Sequence, residues 1–479
     1  ASPSGDRAAE PVAAGDGSDF VGREGVLRRI DQALDGAIAG RGRIVVLVGE
    51  AGIGKTRTVE RALEAMAGRA GVFVGNCFEG EGAPAYWPFV QIFRALLDEL
   101  DDDALAEAIR AGDADLLPLV PGLARRLSGL VAAEPLEGEQ ARFRFFDGVA
   151  GFLRWSARRR PLVLVLEDLH WADRDSLLLA SFLAGALRDC AVLIVATHRD
   201  VEARRDHPLA GLARDLSRAP NCDRIPLRGL EPEHAIELLQ RTAGRELEPR
   251  VSRAVLEMTE GNPFFVRELA LLVAEGGAFE IDERRGLPVE LPQGVRDAVG
   301  LRLASLSPAC NEMLRRAAVL GREFNGRVLL ELASDSHEAQ LELLGEALAA
   351  GLLKELPTAG TYAFTHALVR QTLYDELGLS QRVLAHRAAA EALVRIHGED
   401  SPEHLPELAH HCFASVVGGD PMRSVEVSLR AATLAHRQCA YDESVRHLER
   451  ALEAFDLAEQ VDAARRCELI LAQAEARWD

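Results

Sequence analysis

Gly49-Glu50-Ala51-Gly52-Ile53-Gly54-Lys55-Thr56 is the stretch that decides the fold. It follows the apolar run Ile44-Val45-Val46-Leu47-Val48 and leads into a helical pattern over 57–67. Strand, glycine-rich loop and helix in that order form an anion cradle. The glycines let backbone N–H groups curl round phosphates, and the helix N-terminus adds its positive end at the same point. In such a loop Lys55 reaches the β- and γ-phosphates, and the Thr56 hydroxyl helps to hold Mg²⁺. The expected ligand is therefore a nucleoside triphosphate, with Gly49, Gly52, Ile53, Gly54, Lys55, Thr56 and Arg57 around it.

Working outward, apolar runs alternate with helical periodicity. A second strand is expected over 71–74 and a Gly/Pro/aromatic loop over 76–88, with helices over 89–100 and 140–157. The run Leu162-Val163-Leu164-Val165-Leu166 is apolar on both faces, as a buried parallel strand requires, and ends in Glu167-Asp168-Leu169-His170-Trp171-Ala172-Asp173. A helix over 175–187 leads to an apolar strand over 191–196, then Thr197-His198-Arg199-Asp200, and a short strand over 223–227. The fold class this implies is a doubly wound α/β domain.

Beyond residue 231 the strand pattern largely stops. Helices are expected over 233–242, 249–259, 264–275, 292–306, 308–320, 325–333 and 337–350. An extended pair over 352–356 and 361–365 then turns at 357–360. Helices followed by a hairpin are the order of a winged-helix domain. From 380 the chain is helical and Ala-rich. Ala432, Ala440-Tyr441, Ser444, Leu448 and Ala451-Leu452 carry the small/large spacing of a tetratricopeptide helix pair. One and a half repeats bury their own face poorly, which points to a fragment of a longer protein. The expected division is a flexible tail or linker over 1–18, an α/β domain over 19–229, a helical domain over 230–293, a winged helix over 294–380 and repeats over 381–479.

Composition narrows the function classes. The 479 residues carry a formal net charge of −20, with 48% apolar and 27% charged residues. A general DNA-binding surface needs clustered Lys and Arg, and the expected recognition helix over 337–350 holds Glu338, Glu342 and Glu346 without a single Lys or Arg. Direct DNA binding by this segment is not expected; the wing reads as an internal clamp. No run of about 18 apolar residues predicts a membrane span. Seven scattered cysteines without CxxC pairs suit a reducing cytoplasm. His404, His410, His411 and Cys412 lie close in sequence, but His410 and His411 fall on different helix faces and no second ligand pair follows, so they are not expected to hold a metal.

Taken in order, FVGRE at 20–24, GEAGIGKT at 49–56, LVLVLEDLHWAD at 162–173, ATHRD at 196–200, GNPFFVREL at 261–269 and FTHALVRQTLY at 364–374 resemble the signal-transduction ATPases with numerous domains (STAND). The nearest subgroup is the AAA-type ATPase core of large bacterial LuxR-type (MalT-like) and SARP-like transcription regulators; similar cores stand behind adenylate cyclase domains. The resemblance implies an ATP/ADP switch with Mg²⁺ and slow hydrolysis. It places Val21, Gly22 and Arg23 along the adenine and Pro263 against the base. Arg199 would sense the γ-phosphate and His366 the β-phosphate of ADP. By register Glu167 takes the metal-side position and Asp168 the water-side position, and the sequence leaves their division of labour open. The implied partners are an inducer or protein at the repeats and further copies of the ATP form. The alternatives are a different output, such as a cyclase or immune-type effector, and a P-loop phosphotransferase acting on a small molecule.

Overall fold

The computed structural model describes residues 20–77, 82–111, 138–199, 208–274, 306–332, 336–458 and 462–478, with Leu116, Leu119, Gly300 and Leu303. The tail at 1–18 and most of the helix expected over 292–306 lie outside these residues.

The first body alternates strands and helices: α1 (Glu24–Ile38), β1 (Arg43–Val48), α2 (Lys55–Met66), β2 (Gly71–Asn76), α3 (Trp87–Asp98), α4 (Asp102–Ala111), α5 (Gly138–Arg159), β3 (Leu162–Glu167), α6 (Arg174–Ala186), β4 (Val192–His198), α7 (Leu209–Arg218) and β5 (Cys222–Pro226). The five strands form one parallel sheet in the order β2-β3-β4-β1-β5. Registers such as Val45↔Val195 and Val163↔Leu193 keep the same alternation in step across neighbouring strands.

That alternation explains the runs that are apolar on both faces. Val45, Leu47, Val163, Val165, Leu193 and Val195 pack with Ile30, Leu34, Val59 and Met66 of α1 and α2. Their neighbours Ile44, Val46, Leu162, Leu164 and Ile194 point the other way, into a core of Phe89, Phe93, Phe145, Phe152 and Leu183. Side chains of successive strand residues leave opposite faces, so a sheet covered on both sides must be apolar throughout. Because β4 lies between β1 and β3, the C-terminal ends of these three strands are adjacent. The glycine loop, Thr197 to Arg199 and Glu167-Asp168 thus share one edge, where ligands of open α/β sheets bind.

Next come α8 (Pro232–Ala243), α9 (Pro249–Thr259) and α10 (Pro263–Ala274). They close a small core with Val21, in which Leu230, Leu238, Leu239, Val266 and Leu269 are buried. A third body contains α11 (Pro308–Leu320), β6 (Glu323–Asn325), α12 (Gly326–Glu331), α13 (His337–Ala349), β7 (Leu353–Glu355), β8 (Thr361–Phe364) and α14 (Ala367–Glu376). Its strands form an antiparallel sheet in the order β6-β8-β7. The helix expected over 325–333 starts instead after β6, because Asn325 is extended and caps it, its side chain accepting from the Arg327 N–H.

The chain continues as antiparallel helices: α15 (Leu379–His397), α16 (Leu405–Ala414), α17 (Pro421–Arg437), α18 (Tyr441–Leu457) and α19 (Ala463–Trp478). They fold back onto the first body. Ala435 and Ala440 belong to its apolar core, and the Glu443 N–H donates to Asp175 Oδ2 at 3.3 Å. No helix among the described residues is long and apolar enough to cross a membrane.

Candidate nucleotide site

Local geometry at the end of β1 is dictated by glycine. Gly52 and Gly54 have φ of 79° and 94°, in the left-handed region that side chains rarely adopt. A Cβ on Gly52 would sit 2.8 Å from Phe264 Cβ and 3.0 Å from Asn262 Oδ1, so the loop and the start of α10 are in direct contact. Two further bonds fix that contact: Asn262 Nδ2 donates to the Ala51 carbonyl at 3.1 Å, and the Phe264 N–H to the Gly52 carbonyl at 3.3 Å. Pro263 is packed on the loop, with Cγ 3.8 Å from where a Gly54 Cβ would be.

Lys55 opens α2 and is 7% exposed. Its ammonium donates to the Gly49 and Glu50 carbonyls at 3.0 and 2.9 Å, which closes the loop around it. Burial lowers its pKa to about 8; Arg199 and Arg322 push the same way, while Asp168 and Glu167 oppose. Thr56 Oγ1 donates to Glu167 Oε2 at 2.6 Å. Burial raises Glu167 to about 7 despite that bond.

Asp168 occupies the left-handed region, φ 56° and ψ 43°, with its N–H donating to Thr197 Oγ1 at 2.8 Å. Its Oδ2 accepts from Arg322 Nη1 at 2.7 Å, across 154 residues of sequence. Burial pushes the carboxyl up, but the Arg322 and Lys55 cations outweigh it and hold it below its ordinary value. His170, one residue beyond Leu169, has its Nδ1 3.9 Å from Asp168 Oδ1. Burial lowers its pKa to about 3, so it is neutral.

Arg199 lies with its guanidinium 5.7 Å from the Trp171 ring centroid. His366, after β8, stacks on Phe264 at 4.0 Å between centroids. Its pKa falls to about 3 through burial first, then through Arg322, Arg199 and Lys55. Around Lys55 two further cations, Arg199 and Arg322, and two carboxylates, Glu167 and Asp168, thus lie within electrostatic reach. An excess of positive charge at a helix N-terminus suits a polyanion.

Most residues expected at the site converge. Arg23 has φ 71° and donates from Nη2 to the Ile53 carbonyl at 3.1 Å and to that of Arg228. Gly22, φ 68°, lies against His234, whose ring would be 2.9 Å from a Cβ there. Val21 and Ile53 are buried, and the Gly49 N–H donates to the His198 carbonyl at 3.3 Å. Arg57 is the exception: it pairs with Glu60 at 3.0 Å on the half-exposed face of α2. Three contributors were not anticipated. Arg322 lies in the turn between α11 and β6, Asn262 bridges to the loop through its side chain, and His170 stands behind Asp168. The motif string at 162–173 contained His170, but nothing in the pattern around Arg322 marked it.

In the terminal helices α15 and α16, His386, His410 and His411 bring ring nitrogens within 4.8 Å of one another. Residue 386 was not in the group weighed from the sequence. His404 stacks instead on His397, at 3.6 Å between centroids.

The AAA ATPase domain family matches residues 19–195, the segment that carries the glycine loop and the Glu167-Asp168 strand end. An uncharacterised protein of Rhizobium meliloti (strain 1021) is 26% identical over 473 residues, covering 95% of this chain and 44% of that protein. The chain therefore spans less than half the length of this curated relative. Among solved structures, a signal-transduction ATPase with numerous domains (STAND) with a tetratricopeptide repeat sensor from Pyrococcus horikoshii aligns at TM-score 0.43 and 13% identity, covering 96% of this chain and 71% of that one. A Walker-type ATPase of Pyrococcus abyssi aligns at TM-score 0.37 and 15% identity, covering 74% and 96%.

Proposed function

We propose that this chain is an ATP/ADP-dependent signalling switch whose C-terminal modules report on the nucleotide held by the glycine loop. One observation carries the reading. Arg322 and His366, from the body after residue 306, meet Lys55, Glu167, Asp168 and Arg199 at a single cluster of charges. A polyphosphate there would contact both bodies, so its γ-phosphate would have different partners when they are docked and when they are apart.

In this reading residues 19–229 bind nucleotide and 230–293 cover the loop through Asn262 and Pro263. Residues 294–380 act as a winged-helix clamp, and 381–479 begin a tetratricopeptide-type array that receives the inducer or protein partner. Val21, Gly22 and Arg23 would face the adenine, Lys55 the β- and γ-phosphates, Arg199 the γ-phosphate and His366 the β-phosphate of ADP. Thr56 and Glu167 are hard oxygen ligands 2.6 Å apart, and with Asp168 they fit Mg²⁺. When bound, that ion would neutralise phosphate charge. Hydrolysis forms a bond from water oxygen to the γ-phosphorus and breaks its bond to the β,γ-bridging oxygen. ADP and phosphate leave, and the surplus proton passes to solvent. It would be slow, resetting an ATP form that self-associates.

The output we favour is bacterial transcription, in the LuxR-type or SARP-like manner, in the cytoplasm. DNA contact would come from outside this segment, since α13 carries Glu338, Glu342 and Glu346. A cyclase or immune-type effector driven by the same switch is the alternative output. The test is titration of ATP and ADP, with Mg²⁺, into the parent chain and Lys55→Ala. Both nucleotides bind the parent in this reading, and Lys55→Ala binds more than about thirtyfold more weakly, the worth of a charge-assisted bond to phosphate. Equal affinity in the two proteins would sink the assignment.

A further inference from the structure

Asp168 stands between two partners of different origin. Arg322 Nη1 is 2.7 Å from its Oδ2, and His170 Nδ1 is 3.9 Å from its Oδ1. Arg322 belongs to the body after residue 306, in the turn between α11 and β6. His170 lies in the same turn as Asp168, in the short 3₁₀ helix Leu169–Trp171.

His170 is 8% exposed, and neither ring nitrogen has a hydrogen-bond partner among the described residues. Packing alone would favour an apolar side chain there, because buried polar atoms without partners destabilise the fold. The backbone of Asp168, by contrast, is fixed, held in its left-handed conformation with its N–H on Thr197. Moving the carboxylate from Arg322 to His170 therefore needs only side-chain rotation. The 3.9 Å gap closes to a hydrogen bond with a shift of about 1 Å.

We propose that His170 is the positioning residue for Asp168, taken as the water-side carboxylate with Glu167 and Thr56 on the metal side, and that Arg322 competes with it. With the C-terminal body docked, Arg322 holds the carboxylate. Once that body withdraws, the Nδ1–H of His170 takes the carboxylate and aims it at the water that attacks the γ-phosphate. The chain thus carries its own brake on hydrolysis, released by movement rather than by a change at the glycine loop. This inference rests on the reading of the site as one that binds and hydrolyses ATP.

The test uses the full chain and compares turnover at saturating ATP and Mg²⁺ with KM. Arg322→Ala is expected to raise kcat by about tenfold, within the range of ordinary coupling between sites, with KM changed by less than about twofold. In that background His170→Ala returns kcat to the parent value or below. His170→Asn, whose amide N–H falls where Nδ1 stands, keeps most of the gain. A second readout needs neither nucleotide nor metal. Amide exchange across 323–325 and 361–364 should rise equally in Arg322→Ala and Asp168→Asn, and no further in the double variant. If Arg322→Ala loses its thermal midpoint, Arg322→Gln carries the same test. A variant at 322 that keeps ATP affinity and the midpoint but gains no turnover would overturn the proposal. So would an Arg322→Ala/His170→Ala protein as fast as Arg322→Ala. If instead the parent shows no Lys55-dependent ATP binding, the reading of the site itself fails, and the brake with it.

Discussion

The Tyr86 hydroxyl donates to the Cys439 carbonyl at 3.0 Å and so ties the loop before α3 to the turn between α17 and α18. Tyr86 is 1% exposed, its ring packed edge-on against Phe145 at 5.2 Å. Removing only the oxygen keeps the packing. Tyr86→Phe should cost about 1 kcal/mol and speed amide exchange over 439–447, with no change in the exchange of β1 or β3. Unaltered exchange at 439–447 would show that the bond does not hold the helices in place.

The glycine loop depends on absent side chains. Gly52→Ala combines a φ of 79° with a Cβ 2.8 Å from that of Phe264. It should destabilise the chain by about 1–3 kcal/mol and weaken ATP binding with it, as read by urea unfolding and nucleotide titration. Gly185→Ala, where no atom outside its own stretch of helix lies within 4 Å of the new Cβ, is the control: it should leave ATP binding unchanged and raise stability by up to about 1 kcal/mol.

Asn262→Ala removes both the donor to the Ala51 carbonyl and the acceptor of the Phe264 N–H. Asn262 is 5% exposed, so backbone groups would be left buried without these partners. The expected loss is about 2 kcal/mol in unfolding free energy, and ATP affinity should fall with it. Unchanged affinity would mean that α10 does not brace the loop.

Acid should unfold this protein early. His386 is buried, with Nε2 3.1 Å from the Tyr374 hydroxyl and Nδ1 2.8 Å from His411 Nδ1. Burial, then His410, Arg370 and Arg382, lower its pKa to about 3, against 6.5 for a free imidazole. His411 is lowered too, by burial first. The folded state thus binds fewer protons than the unfolded chain below pH 6.5. Stability is complete above that value and falls as pH drops towards 3, by about 1.4 kcal/mol per pH unit for each such histidine. Urea midpoints at pH 7.5 and 5.5 should differ accordingly, and His386→Asn should flatten the difference. Equal midpoints in the parent would refute this.

The α/β body was legible because a sheet covered on both faces writes itself as unbroken apolar runs, and because the glycine loop has a fixed length. Pro308–Leu320 was readable to the residue from its periodicity, and the structure shows why the bounds are sharp: Ser307 caps its start and Gly321 follows its end. β6 was not, since Glu323-Phe324-Asn325 is too short to show alternation and exists only through its pairing with β8. Arg322 escaped for a related reason. Its meaning comes from an acid 154 positions away, and nothing local distinguishes it from any arginine in a turn. His386 is the same case at 25 residues from His411. Long apolar runs and a glycine loop of fixed length are visible in sequence, whereas a three-residue strand or an arginine whose partner lies 154 positions away is not.

Ala435 and Ala440, with Cys439 packed beside them, are small apolar side chains that the terminal helices place in the main core of the first body. Methyl groups of this size contribute on the order of 1 kcal/mol each when covered. Parting the surfaces at those methyls would therefore wet little oil, and rejoining them there would recover little. Such a seam behaves as a clasp that thermal motion can work, set by a handful of directional bonds rather than by a greasy weld.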